Sequence, residues 1–79
     1  MTYTDRQFGT ELLAELDAGY DPIRIAKWAY VIFLDADRRD RTRRVEGTLI
    51  ELFTMEEGLE FHITEAELRA RAQRLISAG

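Results

Sequence analysis

The sequence predicts an all-α fold: one domain over residues 1–79, built as a bundle of four short helices with a short extended strap before the last. Three observations predict it. Apolar residues recur at helical spacing in four separate stretches. Thr4 with Gln7 and Thr64 with Glu67 carry the capping-box pattern that opens helices. Asp21-Pro22 and the scattered glycines punctuate the chain where helices start and stop.

The first helix follows Thr4, whose hydroxyl accepts from the third helical amide while Gln7 reaches back. Tyr3 and Phe8 occupy the hydrophobic-staple positions around that cap, and Phe8, Leu12, Leu13 and Leu16 share one face. Gly9 falls on the same face, where a missing side chain admits a neighbouring helix. Gly19 is a natural stop. The second helix opens at Asp21-Pro22 and turns Ile25, Ala29, Ile32 and Phe33 to the core, with Ala26 beside them. Its other side is not polar. Ile23, Tyr30 and Leu34 form a second stripe interrupted by Lys27, flanked by Trp28 and Val31. A helix apolar nearly all round is either central or presents a stripe to a partner or a second copy.

Residues 35–44, DADRRDRTRR, read as an exposed connection. The third helix is expected from about Thr42 to about Met55, with Val45, Leu49, Leu52 and Phe53 inward. Its β-branched and aromatic content also suits a strand, but the spacing favours a helix. Gly47 weakens it, and Glu56 projects onto its core-facing side. Gly58 ends it, and Leu59, Phe61 and Ile63 alternate with Glu60 and His62 as the strap. Thr64 then caps a last helix that buries Leu68, Ala72, Leu75 and Ile76 and stops by Gly79.

Composition narrows the function classes. The chain has 79 residues, 46% hydrophobic and without cysteine, so apolar burial alone must carry one core. Its start, MTYTDRQFGTELL, lacks the basic and apolar run of a secretory signal. The longest purely apolar stretch, Trp28 to Leu34, is far below the ~20 residues of a membrane span. The cytoplasm is the expected location, with no membrane partner.

Charge is unevenly spread within the net −4: residues 46–67 hold seven glutamates and no lysine or arginine, whereas residues 35–44 hold five arginines among three aspartates. Glu65 and Glu67 are explained by the first turn of a helix and by Arg69 and Arg71 four residues on. Glu51, Glu56, Glu57 and Glu60 have no local basic mate. Either they form a solvated acidic face, or they attract a basic protein surface.

No enzyme is expected. Glu56, Glu57, Glu60 and His62 are the only grouping suited to a metal or to acid–base work, and Gly58 breaks the helical spacing that ligands on one face require. No cysteine nucleophile, glycine-rich phosphate loop or cofactor motif occurs. Arg38, Arg39, Arg41, Arg43 and Arg44 suit nucleic-acid phosphates, but the interleaved aspartates favour self-paired charge.

Glu51-Leu52-Phe53, the acidic stretch after it, Phe61-His62-Ile63 and the polar turn into a helix ending Arg74-Leu75-Ile76 resemble the small bacterial immunity proteins of the colicin D type. The first half matches only as two helices of similar length. That family blocks a nuclease toxin by covering its basic, RNA-binding active site. The resemblance therefore implies an acidic inhibitor that makes protein contacts and performs no chemistry. The functional expectation is a small acidic protein-binding domain of this immunity type, contacting its partner through Glu51, Glu56, Glu57 and Glu60. The alternative is an assembly module that self-associates as a homodimer through Ile23, Tyr30 and Leu34.

Overall fold

The computed structural model describes residues 2–78. Four helices follow one another: α1 (Asp5–Asp17), α2 (Pro22–Leu34), α3 (Arg43–Thr54) and α4 (Glu65–Ala78). Three single 3₁₀ turns, Ala36–Arg38, Met55–Glu57 and Leu59–Phe61, sit in the connections. Among the described residues there is no strand, only one isolated bridge between Tyr3 and Arg41. The stop expected at Gly79 lies outside the described residues. Among the described residues no helix is long and apolar enough to cross a membrane.

Local chemistry sets the helix starts. Thr4 Oγ1 accepts from the Gln7 N–H at 3.1 Å, and Gln7 Oε1 accepts from the Thr4 N–H at 2.9 Å. Tyr3 and Phe8 meet edge to face with ring centroids 6.1 Å apart, which closes the staple. Asp21 accepts from the Ile23 and Arg24 amides at the head of α2, with Pro22 in its first turn. Thr42 caps α3 through the Val45 N–H, and Thr64 caps α4 through the Glu67 N–H. The reciprocal half of that last box does not form, because the Glu67 carboxylate turns to Arg71 and Arg74 instead.

The helices pair as α1 on α4 and α2 on α3. Phe8, Leu12 and Leu16 of α1 face Leu68, Ala72 and Leu75 of α4, all buried. Ile25, Ala29 and Ile32 of α2 and Val45, Leu49 and Leu52 of α3 complete the core. Each fully buried aliphatic or aromatic side chain contributes ~1.5–3 kcal/mol. Phe8 also stacks on Trp28 at 5.9 Å, which joins the two pairs. Gly9 lets α1 approach α4 closely: a Cβ there would stand 2.9 Å from the Ala72 carbonyl oxygen and 2.9 Å from Leu75 Cβ. Burial, and then the hydrogen bond Tyr3 donates to Glu11, hold the Tyr3 phenol well above the usual tyrosine range.

Three expectations are corrected. The stretch at residues 59–63 does not cross the bundle as a strap. Alternating residues without a neighbouring strand leave their amides unpaired, so the backbone closes a 3₁₀ turn with Phe61 N–H on the Gly58 carbonyl and His62 N–H on the Leu59 carbonyl. Leu59 and Phe61 therefore point outward and only Ile63 packs on the core. Glu56 is exposed, since the tightening of α3 into its terminal 3₁₀ turn brings Met55 inward in its place. Phe53 and Phe33 are only half-buried, packing ring to ring at 5.2 Å along the rim of the core.

The arginine-rich connection is also not a free loop. Arg41 has only 4% of its side chain exposed. Its Nη2 donates to the Phe33 carbonyl at 3.0 Å and its Nε to the Arg38 carbonyl at 2.7 Å, with the guanidinium 5.1 Å over the Phe33 ring. Phe33 lies in the last turn of α2, where carbonyls lack helical partners, so Arg41 is the C-terminal cap of that helix. Arg24 does the same for α1 through the Glu15 carbonyl at 2.9 Å and the Gly19 carbonyl. Arg38 lies over the Tyr3 ring at 5.4 Å and pairs with Asp35 and Glu11.

Two pairs of variants test this packing. Gly9→Ala forces α1 from α4 and costs ~1–3 kcal/mol, whereas Gly47→Ala, with nothing within 4 Å of the new Cβ, gains ~0.5–1 kcal/mol; urea midpoints moving in opposite directions are the expected result. Arg41→Ala strands two carbonyls and lowers stability by ~1–3 kcal/mol, and Arg41→Lys recovers only part because an ammonium lacks the planar fork; the check is the same denaturation measurement.

Candidate partner-binding surface

The segment from Met55 to Phe61 is a knuckle of two 3₁₀ turns on either side of Gly58. Met55 anchors it in the core, and its Sδ accepts from the Ile63 N–H at 3.5 Å. Around that anchor Glu56, Glu57 and Glu60 are all exposed. Among the described residues none of the three enters an ion pair. Leu59 between them is 82% exposed and Phe61 45%. Phe61 also forms one wall of a mainly apolar cleft of about 210 Å³, shared with Ile50, Thr54, Ile63 and Glu51. Three carboxylates without an ion pair among the described residues thus share one short segment with Leu59, the most exposed large apolar side chain among those residues.

The seven glutamates of residues 46–67 divide four to three. Glu46 pairs with Arg41, Glu65 with Arg69, and Glu67 with Arg71 and Arg74. Glu51 has no basic mate nearby in the sequence, as expected, but it is not free: it pairs across the bundle with Arg71 of α4. The hydrogen bond to Glu51 is the main cause that raises the Arg71 guanidinium above its usual value, with burial opposing it. Periodicity within one helix does not report such a pair, because the partners are twenty residues apart.

The remaining expected residues fall elsewhere. Ile23, Tyr30 and Leu34 are exposed on α2. Of the arginine run, the Arg41 side chain is buried, Arg38 is half-exposed and paired with Asp35 and Glu11, and Arg44 reaches Asp5 at 3.4 Å, while Arg39 and Arg43 are exposed without an ion pair among the described residues. His62 is half-buried, and among the described residues no three histidine, aspartate or glutamate side chains gather as metal ligands would. A larger cleft of about 460 Å³ lies between α3 and α4, lined by Arg44, Thr48, Glu51, Glu67, Arg71, Arg74 and Leu75. Its charges are paired with one another or, for Arg44, with Asp5, so it offers no excess charge to a ligand.

No protein-family model matches the chain, and comparison with curated proteins and with solved structures returned no match.

The division of the glutamates predicts opposite effects on stability. Glu51→Gln removes an ion pair that is only partly exposed and lowers stability by up to ~1 kcal/mol. Replacing Glu56, Glu57 and Glu60 together by glutamine relieves repulsion among like charges and leaves stability unchanged or slightly higher, as read by thermal unfolding at low and high salt.

Proposed function

We propose that this domain is a protein-binding module that takes a cationic protein surface on the knuckle of residues 55–61. The observation that carries the reading is the coincidence of Glu56, Glu57 and Glu60, unpaired among the described residues, with outward Leu59 and Phe61. Carboxylates held on a backbone anchored by buried Met55 attract lysine and arginine over a Debye length, ~8–10 Å in physiological salt. The two apolar side chains supply the desolvated contact that charge alone lacks. Glu51 is a weaker member of the set than the sequence suggests, because it engages a partner only by releasing Arg71.

An immunity-type inhibitor of a basic nuclease is the specific form of this reading, and it rests on the resemblance of the second half of the chain. In that role the knuckle carboxylates occupy the positions that RNA phosphates take on the nuclease, and inhibition follows from exclusion. The domain itself performs no chemistry.

The test uses a cationic protein captured by the intact chain, with affinity then measured across a salt series. Replacing Glu56, Glu57 and Glu60 by glutamine lowers affinity ~10–100-fold at low salt and flattens the salt dependence. Leu59→Ala with Phe61→Ala lowers affinity by ~10-fold or more with the salt slope intact. Unchanged affinity and slope in both variants overturns the binding surface. A captured partner whose nuclease activity survives equimolar domain overturns the immunity form alone.

A further inference from the structure

α2 turns Ile25, Ala29 and Ile32 to the core, so its opposite face meets solvent. Such a face is ordinarily charged. Here it consists of Ile23, Lys27, Tyr30, Val31 and Leu34, with Val31 67% and Leu34 59% exposed. Lys27 is the one charge among those five, and no ion pair among the described residues includes it. Tyr30 is held in place by an edge-to-face contact with Phe53 at 5.5 Å, its ring half out in solvent.

The order of these residues identifies what fits the face. Ile23, Lys27, Tyr30 and Leu34 are spaced four, three and four apart, a run that reads the same in both directions. At about 100° per residue all four fall within ~60° of arc. When a second copy of α2 lies antiparallel across the first about a twofold axis, Ile23 meets Leu34 and Lys27 meets Tyr30, each pair occurring twice. Aliphatic packs on aliphatic, and an ammonium group meets the face of a phenol ring, a cation–π contact. A parallel arrangement instead sets Lys27 against Lys27. We propose that α2 is a self-association surface, and that two copies of this chain dock through it in the antiparallel register that pairs Lys27 with Tyr30. This inference is independent of the proposed function, since the α2 face shares no residue with the knuckle. One helix face is small beside the ~800 Å² per partner of stable complexes, so the dimer forms with rising concentration and is not permanent.

Sedimentation equilibrium of the intact chain tests it. Between about 10 μM and 1 mM the average mass is expected to rise from 9.2 kDa toward twice that value. Ile23→Glu or Leu34→Lys alone weakens association at least ~10-fold, and Lys27→Glu, on the exposed side of the helix, does the same. Combining Ile23→Glu with Leu34→Lys restores association, because each new glutamate faces a new lysine of the other copy. Circular dichroism verifies that each variant is folded. A strict monomer across the range overturns the proposal, and so does a double variant that stays as weak as the single ones.

Discussion

The guanidinium of Arg41, seated on the last turn of α2, is the interaction on which the arrangement of the second half depends. A helix leaves its final carbonyls without partners, and in a domain of 79 residues those ends lie against the core, where water cannot serve them fully. Arg41 bonds the Phe33 and Arg38 carbonyls at once, so it both caps α2 and folds the connection back on itself. The same connection receives the N-terminal segment through the Tyr3 N–H on the Asp40 carbonyl at 2.6 Å. α3 leaves from that point, with Thr42 as its cap and Asp5 of α1 accepting the Thr42 hydroxyl. The direction of α3 in turn decides where the knuckle emerges.

This use of arginine shapes the surface charge. Arg24, Arg38, Arg41, Arg44, Arg69, Arg71 and Arg74 each pair with a carboxylate, and two of them, Arg24 and Arg41, also reach backbone carbonyls. A chain with only a small core gains by satisfying helix ends and bridging helices with forked donors, which lysine does less well. Most of the acidic residues are thereby neutralised in place. Glu56, Glu57 and Glu60 stay exposed on the 3₁₀ turns that follow α3, and among the described residues no guanidinium comes within ion-pair distance of them.

The two exposed apolar surfaces have the same geometric origin. A bundle arranged as two helix pairs buries one stripe per helix, and the small volume between the pairs cannot also take the outer face of α2 or the tips of the knuckle. Their electrostatic settings differ. Leu59 and Phe61 stand among carboxylates, whereas Ile23, Tyr30 and Leu34 surround a single lysine. The first suits a cationic partner and the second a copy of itself.

Much of the fold was legible in the sequence, because its signals are local. The Thr4, Asp21 and Thr64 caps act over two or three residues, and the apolar stripes repeat within one helix, so both are written in consecutive residues. The close approach at Gly9 was readable for the same reason, and so was the second stripe of α2, but not that it faces outward rather than into a central position. The partner of Glu51 was not, nor were the capping roles of Arg24 and Arg41, nor the outward turn of Leu59 and Phe61. These depend on where separate helices come to rest. Alternation of apolar residues announces a strand only when a neighbouring strand exists to bond it, and none does beside residues 59–63. The sequence by itself determined four amphipathic helices and a surplus of acid in residues 46–67. Which of those acids remain free was decided only by the tertiary structure, because an ion pair is a matter of distance in space and Arg71 reaches Glu51 only after α3 and α4 have packed.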